Sequence, residues 1–175
     1  MESDFIQLCM DGDLLGAQRL FQLYPDINIS EENEMAFRCA CEYGHLKVAK
    51  WLLQQKPDIN ISALNEYALR YVCGSYDGYD GYAVIGVVQW LLQVKPDINI
   101  SAENEEAFRW ACSNGYLHVA QLLLQVKPDI NISVGNECAF RWAFANGHLR
   151  VCQWLQSLKP YLYVIEYDED GKIKC

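Results

Sequence analysis

The densest grouping of reactive side chains in this 175-residue chain is Cys39, Cys41 and His45, a Cys-x-Cys-x3-His spacing of the kind that can ligate a soft metal. Structural zinc needs four such donors, and two further convincing ligands are missing. The matching positions late in the chain hold Trp142, Phe144 and His148. The three histidines make no better site, since His45 and His148 occupy one recurring turn position and His118 lies two residues after the corresponding Tyr116. The cysteines read as packing: Cys41, Cys73 and Cys112 align with Phe144, and Cys138 takes a place filled elsewhere by Met35, Tyr67 and Glu106. Asp77 and Asp80 lack the ordered donor spacing of a calcium loop. No Gly-rich phosphate loop, nucleophile elbow or paired-acid arrangement occurs. The expectation is a non-enzymatic protein with no catalytic residues, metal site or cofactor.

What positions these residues is a repeat. Pro-Asp-Ile-Asn-Ile-Ser starts at Pro25, Pro57, Pro96 and Pro128, at spacings of 32, 39 and 32 residues, and Pro160 follows after another 32 with a divergent continuation. A residue recurring in every copy builds the scaffold more readily than it performs chemistry. The approximate units are 1–32, 33–64, 65–103, 104–135 and 136–165, with seven or so extra residues in the third. The insertion, Gly74-Ser75-Tyr76-Asp77-Gly78-Tyr79-Asp80-Gly81-Tyr82, carries turn-forming Asp-Gly pairs and should protrude between the two helices of its unit. Residues 161–175 are expected to cap the last unit or add an edge strand.

A chain that is 51% hydrophobic and 21% charged is too apolar for disorder, and no linker tract divides it, so one continuous repeat domain is expected. The net charge of −9, with no basic cluster, argues against nucleic acid and favours a protein partner with a basic surface. There is no secretory signal at the start and no apolar run of about 18 residues, so the expected setting is soluble, reducing and intracellular, with no membrane partner.

Within one unit, Asn104 is placed to cap a first helix, Glu105 and Glu106 complement its positive end, and Ala107, Phe108, Ala111 and Cys112 form an apolar stripe. Asn114-Gly115 turns the chain, a broader apolar helix runs from Leu117, and Pro128 stops it before an extended return. The pairs Glu34/Arg38, Glu66/Arg70, Glu105/Arg109 and Glu137/Arg141 are spaced for i,i+4 attraction worth about 0.2–0.5 kcal/mol each, and their recurrence fits a scaffold in which Arg also bonds a neighbouring loop, the alternative being a ligand-binding ladder of arginines. Helices this short need neighbours, so the units should stack.

Ala40 to Leu53, repeated at Ala111 to Leu124 and Ala143 to Leu155, resembles the Ala-Ala-x-x-Gly-His-Leu-x-Val-Val-x-x-Leu-Leu pattern of the ankyrin repeat. Asp58-Ile59-Asn60 resembles its Asp-Val-Asn. The resemblance implies an all-α repeat solenoid, an ankyrin-like stack of helix-turn-helix units with short extended hairpin loops. Met35-Ala36-Phe37-Arg38 and its copies stand where the family has Thr-Pro-Leu-His, and Lys-Pro replaces its Gly, a variant similar to the arrays of giant DNA viruses of amoebae. If viral, the chain would work in host cytoplasm.

The family binds other proteins through a concave face of first helices and hairpin tips. Carried onto this sequence, the tips are Glu31 and Glu32, Ala63 and Leu64, Ala102 and Glu103, and Val134 and Gly135. The variable helix positions are Met35, Tyr67, Glu106 and Cys138, with Cys39, Tyr71, Trp110 and Trp142 one turn on. The candidate partner-binding residues are therefore Tyr67, Tyr71, Trp110, Trp142, Glu32, Leu64, Glu103 and Glu106, with Tyr76, Tyr79 and Tyr82 of the insertion. Exposed, the aromatic ladder is a binding stripe; buried between units, it is core. The alternative function is a structural array that self-associates into a homo-oligomer through its ends.

Overall fold

Two apolar stripes per unit, each too short to hold a helix alone, leave stacking as the way to bury them, and helix pairs in series result. The computed structural model describes residues 1–75 and 81–161. In chain order the pairs are α1 (Glu2–Met10) and α2 (Leu14–Leu23), α3 (Glu31–Glu42) and α4 (Leu46–Gln55), α5 (Ala63–Gly74) and α6 (Gly81–Val94), α7 (Ala102–Ser113) and α8 (Leu117–Val126), and α9 (Val134–Ala145) and α10 (Leu149–Leu158). Each first helix packs on the next first helix, and α6 touches both α4 and α8 in a second row. The described residues contain no strand, so the fold is the all-α solenoid expected. None of these helices is long and apolar enough to cross a membrane. The predicted tail cap lies outside the described residues beyond Tyr161, as does the insertion from Tyr76 to Asp80.

Between the rows runs one core. Phe37, Leu69 and Phe108 from the first helices, and Leu52, Leu91, Leu123 and Leu155 from the second, are completely buried.

The Pro-Asp-Ile-Asn-Ile-Ser segment is the seam of this stack, and each residue has a task. In the unit closed by Pro96, Ile98 and Ile100 enter the core. Asp97 accepts from Lys95 Nζ at 3.0 Å, and Ser101 N donates to Asn99 Oδ1 at 3.2 Å. Asn99 N donates to Glu66 Oε1, near the start of the same unit, at 3.2 Å. Asn60 N on Glu34 Oε1 (3.2 Å) and Asn131 N on Glu105 Oε1 (3.3 Å) repeat that staple. The segment is held by turns rather than by a paired extended ladder, with Ile59 N donating to Lys56 O at 3.2 Å and Ile98 N to Lys95 O at 3.1 Å.

Two readings of the recurring Asn-Glu-x-Ala-Φ-Arg motif need correction. Asn104 does not cap a helix. Glu103, Asn104 and Glu105 have φ of 51°, 56° and 61°, one left-handed turn ahead of the right-handed helix, and the other units repeat it at 32–34, 64–66 and 135–137. Nor do Glu34/Arg38, Glu66/Arg70 and Glu105/Arg109 form ion pairs. Each Arg instead reaches back to the left-handed turn: Arg38 Nε donates to Asn33 O at 2.8 Å and Nη2 to Glu32 O at 2.9 Å. Arg70 and Arg109 do the same to Asn65 and Leu64 and to Asn104 and Glu103. The Glu carboxylates are used elsewhere, by the preceding Ser (Ser30 Oγ to Glu34 Oε2, 2.6 Å) and by the Asn N–H of the seam that closes the unit. A left-handed residue costs about 1–2 kcal/mol. Two hydrogen bonds from a guanidinium, at about 1.5–3 kcal/mol each, are large enough to offset three of them.

Candidate functional site

Because the first helices lie side by side, residues at one register position line up from unit to unit. Tyr67 and Tyr71, one turn apart on α5, stack with ring centroids 3.7 Å apart and planes 4° from parallel. Trp110 of α7 meets Tyr71 edge-on at 5.0 Å. Cations interleave: the Arg38 guanidinium lies 4.5 Å from the Tyr67 ring centre, Arg70 5.4 Å from Tyr71, and Arg109 5.6 Å from Trp142. The straps that hold the left-handed turns are thus also the rungs between the aromatics.

The ladder is neither an open stripe nor core. Tyr67, Tyr71 and Trp110 are half-buried, and only Trp142, at 39% exposure, is open. Tyr67 Oη donates to Glu42 Oε2 at 2.8 Å, and burial followed by that carboxylate raises its phenol well above the usual 10.0. Trp110 packs over Gly74, where a Cβ would overlap the indole ring. Three of the four aromatics therefore fasten α5 to its neighbours, and each keeps an edge in solvent.

The other candidates separate. Leu64 is 49% exposed at its tip, and Glu32 and Glu103 are exposed, the latter accepting from Asn65 Nδ2. Glu106 is tied down by an ion pair with Arg70 and is only partly accessible. Tyr82, at 82% exposure, stands in the first turn of α6, apart from the ladder. Tyr76 and Tyr79 lie outside the described residues. Nothing in the sequence signals the left-handed turn, and it is that turn which draws each Arg back among the aromatics.

The residues first considered for chemistry are structural. His45 Nε2 lies 2.9 Å from Met10 O of the preceding unit. Among the described residues no three His, Cys, Asp or Glu gather as a metal cluster, and the seven described cysteines are buried and unpaired. Cys41, Cys73 and Cys112 are completely buried, and desolvation pushes each thiol well above the ordinary 9.0. Above pH 9 the unfolded chain releases these protons while the folded chain keeps them, so folding stability falls as pH rises. The loss is about 1.4 kcal/mol per pH unit for each buried thiol. Urea midpoints under reducing conditions should be level up to pH 8 and decline steeply from pH 9 to 10. A level profile throughout would mean that water reaches the thiols.

Comparison with known families finds two models of ankyrin repeats, one matching residues 5–53 and one of three copies matching 79–163. No curated protein matches the chain. Among solved structures, an ankyrin repeat family protein from Legionella pneumophila superposes with a TM-score of 0.47 at 20% identity, covering 96% of this chain. The chain spans 63% of that protein's length.

Proposed function

Since the chain belongs to the ankyrin-repeat family, whose fold is a non-catalytic scaffold for protein interaction, we propose that it binds a protein partner across its row of first helices and the adjoining tips. The observation that carries this reading is the half-buried ladder of aromatics and arginines. Its edges stay accessible and it leads to an open Trp142 at one end, with Leu64 at a nearby tip. Large rigid rings already fixed by their neighbours lose little freedom on binding, which is what an interface anchor requires. The exposed Glu32 and Glu103 at the tips favour a partner with a basic surface. Unpaired cysteines at every described position support a reducing, intracellular setting. The resemblance of the motif variants to giant-virus arrays concerns provenance and leaves this reading unchanged.

Tyr67, Tyr71 and Trp110 hold α5 in place, so a clean test uses the two open anchors. A Trp142→Ala/Leu64→Ala variant should keep the parent melting temperature within a few degrees. It should also lose, by at least about tenfold, the partner that the parent chain retains from a cell extract. Undiminished retention by the double variant would overturn the assignment of this face. A chain that retains nothing and forms oligomers in proportion to its concentration, by light scattering, would instead establish the self-assembling array.

A further inference from the structure

The outer edge of the stack carries a second surface, produced by the insertion. Val87 of α6 holds the place of Val48 in α4 and Val119 in α8. Helix α4 begins two residues before its valine and α8 two before its own, whereas α6 begins six before, at Gly81. The four added residues make about one extra helical turn. This overhang and the start of α8 enclose a cleft of about 370 Å³, lined by Tyr82 and Ile85 of α6, by Tyr116, Leu117 and His118, and by Arg150 of α10. Such a volume is at the lower end of that used for small-ligand and peptide side-chain recognition.

Three features define what would fit. The walls are apolar and partly preset, since Tyr116 Oη donates to Ser75 O at 2.9 Å and fixes its ring. Among the described residues that line the cleft, Arg150 is the charged side chain and none is Asp or Glu. Arg150 and His118 are exposed and neither makes a hydrogen bond or ion pair among the described residues. The three Lys-Pro-Asp lysines, by contrast, are each neutralised by the aspartate two residues on. On a chain of net charge −9, a guanidinium with no ion pair among the described residues, beside an apolar cleft, departs from the overall field.

We propose that this cleft binds an acidic peptide segment, with a large apolar side chain seated between Tyr82 and Leu117 and a neighbouring carboxylate on Arg150. Guanidinium supplies a planar two-pronged donor for that carboxylate, and His118 adds a further polar contact at the rim. The apolar floor excludes a purely electrostatic ligand, and a single guanidinium is too little for a nucleic-acid backbone. The site is independent of the first-helix face.

The test is a fluorescence-anisotropy titration of the intact chain with three labelled, end-blocked peptides: one with Phe flanked by Glu, one with Phe flanked by Gln, and one with Ala flanked by Glu. The first should bind saturably, and at least about fivefold more weakly at 300 mM than at 50 mM NaCl. The other two should bind at least tenfold more weakly than the first. Arg150→Glu, Arg150→Gln and Tyr82→Ala should each weaken the first peptide tenfold or more, while Trp142→Ala/Leu64→Ala should leave it unchanged. Both Arg150 variants alter an exposed side chain, so either serves if the other fails to fold. Equal binding of the Gln peptide, indifference to both Arg150 variants, or no saturation at millimolar peptide would overturn the proposal.

Discussion

Arg70→Ala is expected to lower the unfolding free energy by roughly 3 kcal/mol, while Arg141→Ala, the same motif position two units on, lowers it by about 0.5 kcal/mol or less. Arg70 is nearly buried, donates to Leu64 O and Asn65 O at 3.0 and 2.7 Å, and pairs with Glu106 of the next unit. Removing it releases two carbonyls of a left-handed turn and strands a partly buried carboxylate. It also removes the cation beside Tyr71. Arg141 is exposed and makes one long hydrogen bond to Asn136 O at 3.4 Å. Urea denaturation of the two variants reads the difference directly. Arg70→Lys should recover little, because an ammonium cannot serve two carbonyls and a carboxylate in the planar arrangement a guanidinium provides. Equal losses at the two positions would show that the strap acts within its own unit and not across the interface.

Gly115→Ala should cost roughly 3 kcal/mol and Gly147→Ala roughly 1 kcal/mol, although both glycines occupy the same turn with φ of 77°. The left-handed backbone penalty is common to both. The difference comes from the neighbour: a Cβ on Gly115 would lie 2.5 Å from His148 Nδ1, whereas one on Gly147 meets nothing within 4 Å. His148 would have to withdraw from the turn of the preceding unit, loosening α10 from the stack. Comparing the two midpoints subtracts the backbone term and leaves the inter-unit contact. If the two variants unfold together, the His148 ring does not seal the turn as described.

Much of this architecture was legible beforehand. Helix α8 starts at Leu117, ends before Pro128, and presents Val119, Ala120 and Leu123 to the core, as its apolar spacing required. The candidate site was legible only in part. Trp142 and Leu64 are open, but Tyr67, Tyr71 and Trp110 divide their surfaces between neighbour and solvent. Periodicity identifies which residues share a helix face; it does not say how closely the next helix approaches that face. That approach depends on a Gly at position 74 admitting an indole ring, a contact between residues 36 positions apart.

The sequence by itself determined the repeat, its register, the two helices per unit and the role of the cysteines as packing, because these follow from local spacing and from which residue types recur. The tertiary structure alone decided where the recurring polar residues point. Glu66 and Arg70 are spaced to attract each other along a continuous helix, yet the left-handed turn at 64–66 sends the carboxylate to Asn99 in the seam that closes the unit and the guanidinium back to the turn's own carbonyls. That turn is held by the guanidinium that reaches back to its carbonyls and by an N–H 33 positions on that only folding brings to the carboxylate, so local spacing does not reveal it.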